Sequence, residues 1–337
     1  MIHKTRAYPR AALIGNPSDG YFGKTIAFTF NNFHTDVTLY DSEELEILPA
    51  RRDQSRFSSL DRLAHDVDQY GYYGGIRLIK ASLKKFHTWC KDHNLNLHTR
   101  NFTIRYHSNI PAHLGLAGSS AIITACMRAL MAFYKVDIPD FFLANLVLSV
   151  ETEELGIGAG LQDRVAQSYN GMIHMDFDRV LMEQRGYGNY TPLNIENQPS
   201  YYIAYNTASA EGTELFHNNL RYRWENGDKE IIDAMKGFAR LTDEFKEALE
   251  SGHKEDLHRI INANFDLRHR VMKLNPLHVK MVETARRGGA SAKFTGSGGA
   301  LIGIYEGEDG YRRLKEALEP LGCVVFKPEI VIQKENQ

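Results

Sequence analysis

The chain has 337 residues, too many for one ordinary core and enough for two fused lobes. Hydrophobic residues make up 43%, charged residues 24% and aromatic residues 11%, which excludes a disordered or fibrous chain. Lys plus Arg number 40 and Asp plus Glu 42, a formal charge of −2, so no global basic excess draws nucleic acid or an acidic membrane.

The segment Met1 to Arg10 is polar and carries no apolar core of a signal peptide. The first apolar stretch, Ala11 to Ile14, reads as a strand entering the turn-rich loop Gly15-Asn16-Pro17-Ser18-Asp19-Gly20. Strands are expected at Thr25–Phe30, Asp36–Tyr40, Glu44–Leu48 and Asn101–Tyr106, and a helix over Tyr73–His93. A long apolar helix runs from about Gly118 to Tyr134, buried on most sides. A second helix covers Asp140–Leu155, and a third begins near Leu161 after the loop Gly156-Ile157-Gly158-Ala159-Gly160.

The polar, irregular stretch from Phe177 to Gln198 reads as the boundary between lobes. Beyond it, Tyr201–Tyr205 is a strand, and Glu211–Arg223, Lys229–Glu250, Lys254–Met272 and Leu277–Arg287 are helices. Ser291–Phe294 and Leu301–Tyr305 flank a glycine loop; a helix over Gly310–Leu318 and strands near Cys323–Phe326 and Ile330–Ile332 complete the pattern. No apolar run reaches the ~18 residues that span a bilayer. Cys90, Cys126 and Cys323 fit no zinc spacing, and their odd number argues against a disulfide framework. A cytoplasmic protein with no nucleic-acid or membrane partner is expected.

Three glycine loops carry the chemistry. Between Gly115 and Ser120 the missing Cβ atoms let backbone approach a phosphate, and the helix from Gly118 aims unpaired N–H groups and its positive dipole end at the loop. The hydroxyls of Ser119 and Ser120 suit phosphate or magnesium, although Gly-Ser-Ser also serves simply as a helix cap. In the second loop, Glu151 ends one helix and Asp163 opens the next, a pairing in which one carboxylate holds magnesium and the other meets a nucleophilic hydroxyl. The same residues also fit an acidic helix end and a dipole-friendly N-terminal Asp. The third loop, Gly296-Ser297-Gly298-Gly299, is either a tight hairpin or a bed for a triphosphate. Gly23-Lys24-Thr25 mimics the end of a Walker A loop, but Ser18 stands where that motif needs glycine, and a strand follows.

Taken in order, these elements resemble the GHMP kinases, named for galactokinase, homoserine, mevalonate and phosphomevalonate kinases. Pro111, Gly115-Leu116 and Ser119-Ser120-Ala121 match the family's middle motif, and Lys293 to Ala300 its glycine-rich third motif. Pro9-Arg10 through Asp19 aligns without gaps to the galactokinase N-terminal motif. Gly15 to Asp19, Gly23 to Ile26, Gly74 to Leu78, Ala159 to Gln167 and Asn264-Phe265-Asp266-Leu267-Arg268 further resemble the plant glucuronokinase branch.

That resemblance implies an α+β, two-lobed GHMP kinase fold with its active site in the cleft. A ribosomal protein S5 domain 2-like ATP-binding lobe would cover 1–185 and a ferredoxin-like lobe 186–337. It implies ATP and Mg2+ as cofactors. Leu114, Gly115, Leu116, Ala117, Gly118, Ser119 and Ser120 would form the phosphate loop, and Gly296, Ser297 and Gly298 would join them at the nucleotide. Ser120 and Glu151 would hold the metal, with Ser119 close behind; Glu151 precedes Asp163 by twelve positions, as in galactokinase-like sequences. Asp163 would be the catalytic carboxylate, as a base or as an orienting group, and Arg10 would neutralise developing charge. Asp19 would accept from sugar hydroxyls, and Lys24, Arg77 or Arg164 would meet a sugar carboxylate, where a bidentate Arg fits best. The implied reaction moves the ATP γ-phosphate to the anomeric hydroxyl of D-glucuronate. The alternatives are another sugar acceptor, such as galacturonate or a neutral hexose, or a non-catalytic ligand sensor of the same fold.

Overall fold

The computed structural model describes residues 1–50, 53, 58–59, 74–196, 198–206 and 214–333. In chain order the first part holds β1 (Ile2–Ala7), β2 (Arg10–Ile14), β3 (Lys24–Thr29), β4 (Thr35–Ser42), β5 (Glu46–Leu48), α1 (Gly75–Asp92), β6 (Asn101–Ser108), α2 (Gly118–Tyr134), α3 (Asp140–Ser149) and α4 (Leu161–Tyr169). The rest holds β7 (Met172–Asp176), α5 (Arg179–Arg185), β8 (Asn189–Pro192), β9 (Tyr201–Tyr205), α6 (Glu214–Glu225), α7 (Lys229–Ser251), α8 (Lys254–Val271), α9 (Pro276–Arg287), β10 (Lys293–Phe294), β11 (Ala300–Ile304), α10 (Gly307–Leu318) and β12 (Val324–Phe326). Among the described residues no helix is long and apolar enough to cross a membrane.

The chain forms two compact units that interleave in sequence. One comprises Met1–Pro9, Phe33–Ala112 and Ala117–Ser168; the other Arg10–Asn32, His113–Leu116 and Tyr169–Gln337. Residue 185 is therefore not where these two units part: Arg10–Asn32 groups with the C-terminal half.

In the first unit a sheet runs in the order β1-β4-β6-β5. β4 and β6 pair antiparallel from Thr35 opposite Ser108 to Ser42 opposite Asn101. Helix α2 lies on β1 and β4, and α1 lies on α2. Its Ile123, Met127, Leu130 and Phe133 are buried together with Val37, Leu39 and Ile104. Phe102 meets Phe133 edge to face at 5.2 Å. Each such side chain contributes about 1.5–3 kcal/mol by leaving water. The polar strand β1 was not expected. It pairs with β4, but its inward positions are His3, Thr5 and Ala7 while Ile2 faces solvent, so no apolar alternation marks it.

The second unit has two antiparallel sheets, β2-β3-β7-β8 and β10-β11-β9-β12. Every residue of β2 is buried, which explains its unbroken apolar run. Helix α8 touches β2 of one sheet and both β10 and β11 of the other. Tyr202, Phe265, Met281, Phe294, Leu301 and Leu314 form the core beneath it.

Several expectations need correction. The stretch Phe177 to Gln198 holds α5 and β8, not only irregular chain. α5 buries none of its residues and is started by the Asp178 carboxylate, which accepts from Leu181 N. Ile330–Ile332 forms no strand beyond a single bridge from Ile330 to Phe30. The helix expected over Asp140–Leu155 breaks after Ser149 into a π-helical turn, Val150–Glu154. Tyr73 and residues 211–213, read as helix starts, lie outside the described residues. Lys24–Thr29 is a strand, as the rejection of a Walker A loop requires.

Lys293, on β10, is completely buried and donates to Ala12 O at 2.7 Å, Asn16 Oδ1 at 2.6 Å and Phe294 O at 2.8 Å. Burial, with the charges of Arg268 and Arg10, holds its pKa well below the usual lysine value. The unfolded chain therefore binds more protons below about 10.5, and this group makes stability rise with pH. Urea midpoints of Lys293→Met and the parent, compared between pH 7 and 9, are expected to diverge. The parent gains up to about 1.4 kcal/mol per pH unit that the variant lacks; parallel curves would show that Lys293 titrates normally.

Candidate active site

The site residues fall into a carboxylate group in the first unit and a glycine-loop group in the second. In the first, the π-helical turn carries Glu151, which is 1% exposed. Such turns re-aim side chains out of a regular helix and are frequent at functional sites. Ser119 Oγ donates to Glu151 Oε1 at 2.9 Å, and Arg164 Nε donates to Glu151 Oε2 at 2.7 Å. Arg164 Nη2 closes on the same oxygen. Arg164 Nη1 donates to Gly160 O at 2.8 Å and lies 3.3 Å from Asp163 Oδ2. One guanidinium thus fixes both carboxylates, which are otherwise on different helices.

Ser120 is fully buried and donates to Ala117 O at 3.2 Å, while Ser119 is the hydroxyl hydrogen-bonded to Glu151. Ala117 has a left-handed backbone, φ +60°, which turns the chain into α2 and leaves Gly118 as the first helical residue. Gln167 was not foreseen as part of this group. From one turn beyond Asp163 on α4, its Nε2 donates to Ala117 O and Tyr8 O, both at 2.9 Å. Arg128 of α2 donates to Gln167 O and Ser168 O, covering carbonyls at the end of α4.

In the second unit, Arg10 is 5% exposed and Nη1 donates to Gly115 O at 2.6 Å and Thr295 O at 3.0 Å. Arg268, also buried, donates to Gly296 O at 2.7 Å and Ser297 O at 3.0 Å. Burial pulls its pKa down to about 10, with the charge of Asp19 opposing. Because a trans peptide sets its N–H opposite its C=O, engaging these carbonyls turns the N–H groups of Leu116, Gly296, Ser297 and Gly298 away from the cations. This is how a backbone cradle for an anion is built. Glycine is required at 296: a Cβ there would stand 2.4 Å from Gly115 O. Leu114 closes over the far end of the loop, near Gly299.

Helix α8 supplies two residues beyond the expected ones. Asn264 Oδ1 accepts from Gly15 N at 2.7 Å, and its Nδ2 donates to Asn16 O at 3.3 Å, tying down the loop that leads to Asp19. Gly15 has φ +89° and no room for a side chain, which would meet Lys24 O at 2.1 Å. The signal was available: Asn264 and Arg268 interrupt the core-facing stripe of Leu257, Ile260, Ile261 and Phe265.

The basic residues considered for a sugar carboxylate have other partners. Lys24 Nζ is 3.0 Å from both oxygens of Asp243 and 3.6 Å from Asp176. Burial works against its charge, but the hydrogen bond to Asp243 and the charge of Asp176 outweigh it and raise its pKa. Arg77 Nη2 donates to Leu155 O at 3.3 Å, in an open groove of about 430 Å³ shared with Lys80, Lys84 and Glu154. Arg164 is held by Glu151.

The GHMP kinases N terminal domain model matches residues 77–171, and the GHMP kinases C terminal model matches 245–321. The chain is similar to Glucuronokinase 1 of Arabidopsis thaliana, 42% identical over 324 residues, covering 94% of this chain and 89% of that protein. It is also similar to Probable glucuronokinase 2 of the same plant, 41% identical over 98% of this chain and 92% of that one. Among solved structures, galactokinase of Lactococcus lactis complexed with galactose has a TM-score of 0.79 at 16% identity, covering 98% of this chain and 93% of that chain. Mevalonate kinase of Methanococcus jannaschii has a TM-score of 0.71 at 20% identity, covering 98% of each chain. The chain belongs to the GHMP kinase family and is an ATP-dependent kinase.

Proposed function

We propose that this kinase phosphorylates D-glucuronate at its anomeric hydroxyl, giving glucuronate 1-phosphate and ADP. The observation that carries this reading is the 41–42% identity, over 94–98% of the chain, to two plant glucuronokinases.

In this reading residues 1–185 are the family's ATP-binding lobe and 186–337 its C-terminal lobe. Leu114 to Ser120 and Gly296 to Gly298 hold the nucleotide phosphates. Mg2+, when bound, neutralises phosphate charge and orients the γ-phosphoryl group. The residues present fit such an ion: magnesium takes one or two carboxylates and completes its shell with phosphates and water. Glu151 with the Ser119 hydroxyl at 2.9 Å is that kind of donor set, and Ser120, which gives its proton to Ala117 O, keeps its oxygen lone pairs for the same ion.

Asp163 accepts the hydrogen bond of the attacking hydroxyl. The guanidinium 3.3 Å from Oδ2 supports an orienting and electrostatic role, because it fixes the carboxylate in place. Arg10 stabilises charge as it builds on the transferred group.

ADP release with Mg-ATP, measured across glucuronate, galacturonate, glucose, galactose and mevalonate, tests the acceptor. Turnover with glucuronate alone is the expected result; turnover only with another acceptor removes the glucuronate assignment and keeps the kinase. Asp163→Asn is expected to lower kcat about 10²- to 10⁴-fold while ATP binding, read by calorimetry, persists. Retained kcat would exclude Asp163 from the chemistry. Gly296→Ala brings a Cβ to 2.4 Å from Gly115 O and 3.0 Å from Arg10 Nη2. Its expected signature is a weakened affinity for ATP in a protein that still folds; unchanged affinity would mean the loop does not hold the nucleotide.

A further inference from the structure

A sugar acid needs a cation for its carboxylate, and Lys24 and Arg164 already hold carboxylates while Arg77 lies on the Leu155 carbonyl. Another cation stands at the turn that carries Asp19. This turn, Ser18–Tyr21, is a single 3-10 loop, and Arg221 reaches it from α6. Arg221 Nη2 comes within 3.9 Å of where a Cβ on Gly20 would be, so the guanidinium meets the chain one residue past Asp19. Its carbon lies 5.9 Å from the Tyr21 ring centroid. Trp224, three residues further along α6, packs against Tyr21 at 5.5 Å and Phe22 at 6.0 Å, which pins this stretch of helix to the turn.

The side chain of Arg221 is 57% exposed, and its ion pair with Glu225 is a loose one at 3.7 Å on the same helix. The cation is thus placed by packing yet open to a ligand. The turn it meets carries a carboxylate, Asp19, and a phenol, Tyr21. Burial above all pushes the Tyr21 pKa to about 12, which keeps its hydroxyl a neutral donor. A guanidinium for a carboxylate, a carboxylate for hydroxyls and an aromatic surface for the C–H face together match a sugar acid better than a neutral hexose.

We propose that Arg221 recognises the carboxylate of the sugar acid, beside Asp19 on the adjoining turn. This rests on the sugar-acid kinase reading above and supplies the specificity residue it lacks. Arg179 serves as the control. It stacks over Phe22 at 4.6 Å and Trp224 at 5.7 Å, in the same aromatic group, without approaching Gly20 within 4 Å.

Steady-state kinetics of the full chain with Mg-ATP and glucuronate, galacturonate or glucose, for Arg221→Gln, Arg221→Lys and Arg179→Gln, test this. Arg221→Gln is expected to raise the uronate KM about 10- to 100-fold, with the ATP KM unchanged. Arg221→Lys should fall between it and the parent, and Arg179→Gln should match the parent. If the parent takes a uronate and Arg221→Gln leaves its KM unchanged, the assignment of Arg221 is overturned and the kinase reading stands. If the parent takes galacturonate in place of glucuronate, an equal loss in Arg221→Gln upholds the assignment and overturns only the choice of sugar acid. A parent active on neutral sugars alone overturns both.

Discussion

The glycine loops of this protein depend on cations bound to peptide carbonyls. A glycine-rich loop packed into a core carries carbonyl groups that must be paired, since an orphaned buried one costs about 1–3 kcal/mol. Arg10 and Arg268 pair four of them, at Gly115, Thr295, Gly296 and Ser297. Lys293 and Asn264 do the same for the neighbouring Ala12–Asn16 segment. The arrangement satisfies the backbone and also gathers basic side chains at the loop, in a chain whose net charge is −2. Lys293 is buried beside Arg268 and Arg10, and burial together with the charges of those two guanidiniums holds its pKa well below the usual lysine value.

The carboxylate group follows an opposite logic. Glu151 is almost fully buried, and removing its charge partner would leave an uncompensated ion. Arg164 pairs with it and, through the same guanidinium, touches Asp163 on the preceding residue. The π-helical turn is what lets Glu151 leave the regular spacing of α3 and meet α4. Gln167 and Arg128 then hold α4 against the corner at Ala117, so the carboxylates and the start of α2 are set by one network.

Much of this was legible in the residues. The long apolar helix beginning at Gly118 ends at Tyr134 as its pattern requires, and the glycine loops lie between the elements expected to flank them. Strand β1 was hidden because its inward side chains are His3 and Thr5, and α5 because a helix that buries nothing leaves no stripe. The break after Ser149 was hidden because a π turn preserves helical composition. In the candidate site, acids and glycines announced themselves by chemistry, while basic residues did not. An Arg reads alike whether it pairs with Glu151, as Arg164 does, or stands open beside a turn, as Arg221 does. Nothing local links Gly20 to Arg221, about 200 positions away; only the fold brings them together.

The interleaving of the two units has a consequence for biosynthesis. The first unit is complete once Ser168 has left the ribosome. The hairpin of β2 and β3 is made almost at once, but its partner β7 begins only at Met172. For the time it takes to synthesise roughly 140 residues, at about 5–20 per second, the outer edge of β3 stays unpaired. An open strand edge is a template for wrong pairing. Nascent chains would therefore be most prone to association before β7 emerges, while the second unit has only a hairpin to show.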